Sequence, residues 1–248
     1  MLEFILPLGI FLLGLLTGFV DSTAGSGGLI LIPMLIFMGV PPQAAIALDR
    51  FGTLGMEVGA FITFHKAKKI VWEFVPLFSL LALVGGIIGA NILVSIDPAS
   101  IQKIIGVILL LSLPLILLHK NAGVKRVATS VTRKVIGYFM YFVIMIYNGF
   151  FGTGAGPLTT YNQTLLFGLT IIESNATAII PWFLLSVSSV IIFSQHNLIN
   201  YTNAISLVIG MLLGGYVGAH TLLKIGDVWV KRLFIGVVLI SGIKLLFF

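Results

Sequence analysis

The chain has 248 residues, of which 58% are hydrophobic and 9% charged, with a mean hydropathy of +1.16. An ordinary soluble domain carries about 25% charged residues, so this exterior suits lipid and not water. Cysteine is absent, which excludes disulfides, thiolate metal sites and cysteine nucleophiles. The net charge of +6 sits in a few short stretches and is not a nucleic-acid signal.

The first apolar segment, 4–20, lacks a basic n-region and a small-residue cleavage site, so it reads as a membrane segment and not a removed signal peptide. It runs into a glycine-rich break, Gly18-Phe-Val-Asp-Ser-Thr-Ala-Gly-Ser-Gly-Gly28. The next segment, 25–38, is short. At about 1.5 Å per residue it covers roughly 21 Å, less than the roughly 30 Å hydrocarbon core. The break is therefore expected at the tip of a re-entrant helical hairpin. Segment 43–64 carries Asp49, Arg50 and Glu57 at membrane depth, where ionisable groups face a cavity or a partner. Segments 72–94 and 101–118 complete the first half, and a basic stretch follows at 119–133.

The second half repeats this layout with segments 134–150, 155–168, 173–193, 201–222 and 233–248. Its break reads Asn148-Gly-Phe-Phe-Gly-Thr-Gly-Ala-Gly-Pro157, and 155–168 is again short. Gly25 and Gly154 set an offset of 129 residues. That offset pairs Gly27 with Gly156, Gly39 with Gly168, Ala47 with Ala176 and Gly52 with Pro181. It also pairs Gly85-Gly86-x-x-Gly89-Ala90 with Gly214-Gly215-x-x-Gly218-Ala219. Glycine- or proline-interrupted segments at matching points of a repeat point to a transport site. Gly52 and Pro181 are candidate bends beside the two tips.

Basic residues gather at 65–71, 119–134 and 223–232, whereas the repeat-mates of the first and third loops are nearly charge-free. Basic loops mark the cytoplasmic side. The expected architecture is thus an all-α polytopic membrane protein of two inverted-topology repeats, each of about five segments with one glycine-broken hairpin. The first repeat spans 1–118, a basic cytoplasmic linker 119–133 and the second repeat 134–248. All basic loops lie inside a cell membrane that the chain crosses several times, with both termini outside.

Each short helix begins near its glycine tip with unbonded N–H groups and a positive dipole end. Two such tips, entering from opposite faces, favour a small anion. The expected binding residues are Asp21, Ser22, Thr23, Gly25, Ser26, Gly27 and Gly28 at the first break, and Gly152, Thr153, Gly154, Ala155 and Gly156 at the second. Arg50 adds a planar cationic fork. Asp21, Asp49 and Glu57 are candidate coupling groups, and Gly52 and Pro181 candidate gating points. The four histidines are dispersed and form no metal-ligand pattern. No Gly-Lys-Ser/Thr follows the tip glycines, so they make no Walker loop. Neither a metal nor a cofactor is expected.

At these residues the chain resembles the sulfite exporter TauE/SafE family, also called the toluene sulfonate uptake permease family. The resemblance rests on Gly18-Phe-Val-Asp21, Gly25-Ser-Gly-Gly28, Gly39-Val-Pro-Pro42 and Ala47-Leu-Asp-Arg50. In the second half it rests on Gly149-Phe-Phe-Gly-Thr-Gly-Ala-Gly156, Asn175-Ala-Thr-Ala178 and Gly214-Gly-Tyr-Val-Gly-Ala219. It covers essentially the whole chain. It implies a secondary membrane transporter, with export as the favoured direction, of small sulfur-containing anions such as sulfoacetate, other organosulfonates or sulfite. It departs from the family pattern at Ile179, where a basic residue often stands, leaving Arg50 as the deep cation of that pair.

The partners expected are a small anionic substrate, the lipid bilayer and a second copy in a homodimer, the Gly-Gly-x-x-Gly-Ala faces serving either that interface or packing within the protomer; nucleic acid is not among them. The competing readings are a drug or metabolite exporter of another substrate class, an anion channel and an integral-membrane enzyme. Sparse, scattered ionisable residues argue against an enzyme.

Overall fold

The computed structural model describes residues 2–97, 100 and 126–247. Segment 101–118 and the linker up to Lys125 therefore lie outside the described residues. Among the described residues there are eight α-helices and no strand. They are α1 Leu2–Ala24, α2 Gly28–Phe37, α3 Pro42–Lys66, α4 Val75–Ser95, α5 Val131–Phe150, α6 Ala155–Leu166, α7 Ile171–Gln195 and α8 Tyr201–Phe247.

Three of these contain stretches long and apolar enough to cross a membrane: Val75–Ser95, Ile171–Gln195 and Ala204–Ile225. Their exteriors are apolar too. Leu80, Ile87, Ile191, Ile205, Ile209 and Leu213 are all exposed, an arrangement that only a lipid solvent rewards. Helices α2 and α6 have 10 and 12 residues. Each is too short to cross the hydrocarbon core, which takes about 20 residues.

Local chemistry explains most boundaries. Pro42 occupies the start of α3, where its missing N–H costs little. Ser130 caps α5 by accepting from the Arg133 N–H at 3.4 Å. Thr170 and Glu173 form a reciprocal capping box at the start of α7. Two expectations need correction. First, α1 continues to Ala24 and does not end at residue 20. Ser22 and Thr23 donate to the Phe19 carbonyl, which is compatible with a helix and needs no break. Second, the stretch 223–232 is not a loop: α8 is continuous for 47 residues. That stretch contains one glycine and no proline, so nothing in it stops a helix. The second half accordingly has four helices where five segments were expected. The remaining helices match the expected segments to within a few residues.

Small residues let the long helices approach closely. Gly14 and Gly18 of α1 face Leu207 and Met211 of α8, and Gly55 and Gly59 of α3 face Val208 and Leu212 of α8. Gly85 and Gly89 of α4 face Met145 and Ile146 of α5. The Gly-Gly-x-x-Gly-Ala faces are thus used for packing within the chain. Across the middle, Gly86 meets Leu185 of α7 and Gly215 meets Met56 of α3. A second core of Phe74, Phe78, Tyr138, Tyr141 and Phe167 ties the end of α6 to α4 and α5. Its Phe78 and Tyr141 rings stack at 4.3 Å.

Candidate functional site

The two glycine breaks touch. A Cβ on Gly25 would lie 2.6 Å from the Gly156 Cα, and a Cβ on Gly156 would strike Gly25 in return. Gly25 also has φ +63°, a left-handed value that side chains rarely accept. Gly152, at φ +81°, leaves room for the Arg50 guanidinium, which a Cβ there would strike. Glycine at both breaks is thus required by backbone angle and by close approach.

Beside this contact lies a cavity lined by Asp21, Gly25, Gly28, Asp49, Arg50, Thr53, Met56, Glu57, Asn148, Gly152, Thr153, Ala155, Gly156 and Trp182. About 20 Å³ of it admits the centre of a water-sized sphere, room for about one water. Arg50 is 4% exposed and Asp49 3%. The Arg50 Nη2 donates to the backbone carbonyl and to the Oδ1 of Asn148, the latter at 3.0 Å. Its Nε has no hydrogen-bond partner. No acidic side chain among the described residues lies within ion-pair distance of Arg50, so the guanidinium is held by neutral carbonyls.

The tips are fixed by their own polar groups. The Gly27 N–H donates to Asp21 Oδ1 at 3.0 Å, which bridges the first break. The Tyr147 hydroxyl donates to the Thr153 carbonyl at 2.5 Å, which steadies the second. Gly28 lies beside Thr153 Oγ1 and the Asp49 carboxylate. Thr153 Oγ1 and Asp49 Oδ1 are buried without a hydrogen-bond partner. Glu57 Oε1 accepts from Ser186 at 2.9 Å, and Ser186 lies 3.3 Å from the Thr53 hydroxyl.

Of the residues expected at the site, Asp21, Gly25, Gly28, Asp49, Arg50, Glu57, Gly152, Thr153, Ala155 and Gly156 line the cavity. Ser22, Thr23 and Ser26 turn their hydroxyls to nearby backbone carbonyls. Gly27 sits behind Asp21, and Gly154 caps α6. Gly52 packs on Leu207 and Met211, and Pro181 lies inside the unbroken α7. The sequence reading did not place Tyr147, Asn148, Trp182 or Ser186 at the site. Ser186 carried a usable signal, since it is the repeat-mate of Glu57.

The site offers one guanidinium, three carboxyl groups and two glycine tips in a small buried space. No group of three or more His, Asp or Glu able to hold a metal occurs among the described residues.

The chain is 23% identical over 222 residues to a "Probable membrane transporter protein" of Haemophilus influenzae, covering 90% of this chain and 87% of the relative. It is 24% identical over 243 residues to the "Probable membrane transporter protein YfcA" of Escherichia coli K12, covering 96% and 88%. It is 25% identical over 232 residues to the "Probable membrane transporter protein YunE" of Bacillus subtilis, covering 84% and 85%. No solved structure matches the chain. The family model described as "Sulfite exporter TauE/SafE" matches residues 10–245, and with that match over nearly the whole chain the protein belongs to this family of membrane transporters.

Proposed function

We propose that the protein is a secondary transporter of small sulfur-containing anions, working by alternating access around the cavity at the two hairpin tips. The observation that carries this reading is Arg50. It is a buried cation whose Nε is left unpartnered at the point where two helix beginnings meet. A trigonal or tetrahedral oxyanion suits a planar guanidinium and backbone N–H donors. Sulfite, sulfoacetate and other organosulfonates all present such a group.

The inverted-repeat reading draws support from paired contacts. Glu57 and Ser186, 129 residues apart, bond to one another, as two equivalent residues near a pseudo-twofold axis do. Gly86 meets Leu185, and the residues 129 positions from these, Gly215 and Met56, meet as well. α2 and α6 then act as re-entrant arms, and rocking of one half against the other opens the cavity to each side in turn. The cavity admits about one water, so a sulfur oxyanion enters only when the tips part. In this scheme the basic loop 65–71 and the basic linker before α5 face the cytoplasm, and export is the direction proposed. A homodimer remains part of the proposal, through faces other than the glycine motifs used for internal packing.

The direct test is flux of sulfite, sulfoacetate and aryl sulfonates in proteoliposomes. Saturable flux of at least one, lost in Arg50→Gln, is expected; no saturable flux across the panel would sink the substrate assignment. The three carboxyl groups favour one second reading, an exporter of cationic metabolites or drugs. Preference for organic cations in the same panel would select it.

A further inference from the structure

Charge balance in the cavity sets a condition on any anion. With Asp21, Asp49 and Glu57 all ionised, one arginine leaves the site negative by two charges, and an anion is repelled. An anion is accommodated in this lining once protons neutralise carboxyls that would otherwise repel it. The structure distinguishes among the three carboxyls. Asp21 is engaged by the Gly27 N–H and holds the first break together. Asp49 faces the tips, beside Gly28 and Thr153.

Glu57 stands apart in position. It borders the polar cavity on one side. On the other it borders an apolar pocket between α3 and α7, lined by Val58, Phe61, Ile179, Ile180 and Phe183. By the same water-sized measure that pocket holds about 260 Å³. Glu57 is 2% exposed, and its Oε2 has no hydrogen-bond partner. The charges near enough to act on it are Arg50, Asp49 and Asp21, from α3 and α1. From α7 it meets Ser186 and apolar side chains, none of them titratable. From α8, the residues packed on the same stretch of α3 are Val208, Leu212, Gly215 and Tyr216; the last is titratable, meets α3 through its backbone and is exposed. A carboxylate with one oxygen unpartnered against hydrocarbon is costly, and a proton removes that cost.

We propose that Glu57 is the proton-binding carboxyl of the transport cycle, accepting its proton in the α3–α7 seam as the anion engages Arg50. Its bond to Ser186 joins the two halves of the chain, so the proton alters a contact that must slide when the halves rock. An ionised Glu57 only accepts, and holds the Ser186 hydroxyl as its donor. A protonated Glu57 can donate as well, which frees the hydroxyl to turn toward Thr53, 3.3 Å away. The proposal rests on the transport reading above but not on the identity of the anion.

The test has two arms. In the first, purified full-length protein is treated with the hydrophobic reagent N,N′-dicyclohexylcarbodiimide and digested for mass spectrometry. The carboxyl O–H adds across one N=C bond, oxygen to carbon and hydrogen to nitrogen. An oxygen-to-nitrogen acyl shift then leaves a stable N-acylurea with no leaving group. The adduct is expected on Glu57, increasing as pH falls. It should vanish in Glu57→Gln and persist in Asp49→Asn. No adduct at Glu57, or one indifferent to pH, would overturn the proposal. In the second arm, an inward-acid gradient is applied to proteoliposomes with radiolabelled sulfite. Wild-type flux is expected to rise severalfold with the gradient, and whatever flux Glu57→Gln retains should not respond. Wild-type gradient stimulation surviving in Glu57→Gln would overturn the coupling role. If labelling behaves as expected and wild type moves no sulfur anion, the proton site stands and the substrate assignment fails.

Discussion

Helix α2 buries Leu29, Leu31, Ile32 and Leu35, whereas α6 buries Thr159, Asn162, Gln163 and Thr164. These helices follow equivalent breaks and hold equivalent places beside the cavity, yet one arm is oil and the other is hydrogen-bonding groups. Their fixings differ in the same sense. Asp21 bridges the first break with its side chain, while the second relies on the Tyr147 hydroxyl. Position 50 is arginine and its counterpart is Ile179. Several polar atoms along α6, among them Gln163 Nε2 and Oε1, Thr159 Oγ1 and Asn162 Oδ1, have no protein partner. Buried polar groups of that kind favour water over hydrocarbon as neighbours. The far end of α6 meets the stretch leading into α5, where the Val127 N–H donates to the Gly168 carbonyl. Arg126 and Lys134 lie in that region, paired with Glu173 and Glu73. The far end of α2 instead leads to Gln43, whose amide donates to the Leu93 and Ile96 carbonyls. The lesson is that two short helices in matching places carry different chemistry: α6 buries polar groups and ends near Arg126 and Lys134, whereas α2 buries apolar ones.

The largest expected effect comes from removing the cation that only the first half supplies. Arg50→Gln strips the site of its positive charge and loosens the hold on Asn148. Loss of flux to background is expected, with a stability loss of about 1.5–3 kcal/mol, read by thermal unfolding in detergent. Moving the charge across, as Arg50→Ile with Ile179→Arg, tests whether the halves are interchangeable. Recovery of flux by the double variant would show that they are.

Next in size are the tips. Gly25→Ala places a methyl against Gly156 in a left-handed backbone and should cost about 1–3 kcal/mol. Gly156→Ala opposes the same contact from the other side, so the two costs together should fall short of their sum. Strict additivity in a double-mutant cycle would show that the tips do not meet.

Making α6 resemble α2 probes the contrast itself. Gln163→Met removes an unpartnered amide, so stability should change by less than about 1 kcal/mol or improve, while flux falls roughly tenfold if α6 lines the water path. Unchanged flux would erase the distinction drawn between the arms. Smallest is Thr170→Ala, which breaks the capping box of α7 for about 1 kcal/mol and should leave flux within a factor of two.

Much of this was legible in the sequence because glycine and charge have few uses inside a membrane. The breaks at Gly25 and Gly154 and the depth of Arg50, Asp49 and Glu57 announced a polar site. Neutral polar residues were harder to read. Asn148, Ser186 and Trp182 each suit packing, interhelical bonding or ligand contact equally well, and only the fold decides which. Boundaries failed for local reasons. Thr170-Ile-Ile-Glu173 is a capping-box pattern that would have placed the start of α7 correctly. The side chains of Ser22 and Thr23 bond within their own helix, which let α1 pass through residues that looked like a loop. The uninterrupted α8 ran through a stretch whose charges, not its propensities, suggested a turn.

The contact between Gly25 and Gly156 is backbone against backbone, which has a consequence for how such a transporter changes its cargo. A seam without side chains offers substitution nothing to adjust except by breaking it. If the cavity holds the cargo as proposed, variation in what is carried falls to the ring around it, at Arg50, Thr53, Asn148 and Trp182. A designer seeking a new substrate should randomise that ring and leave the glycines untouched.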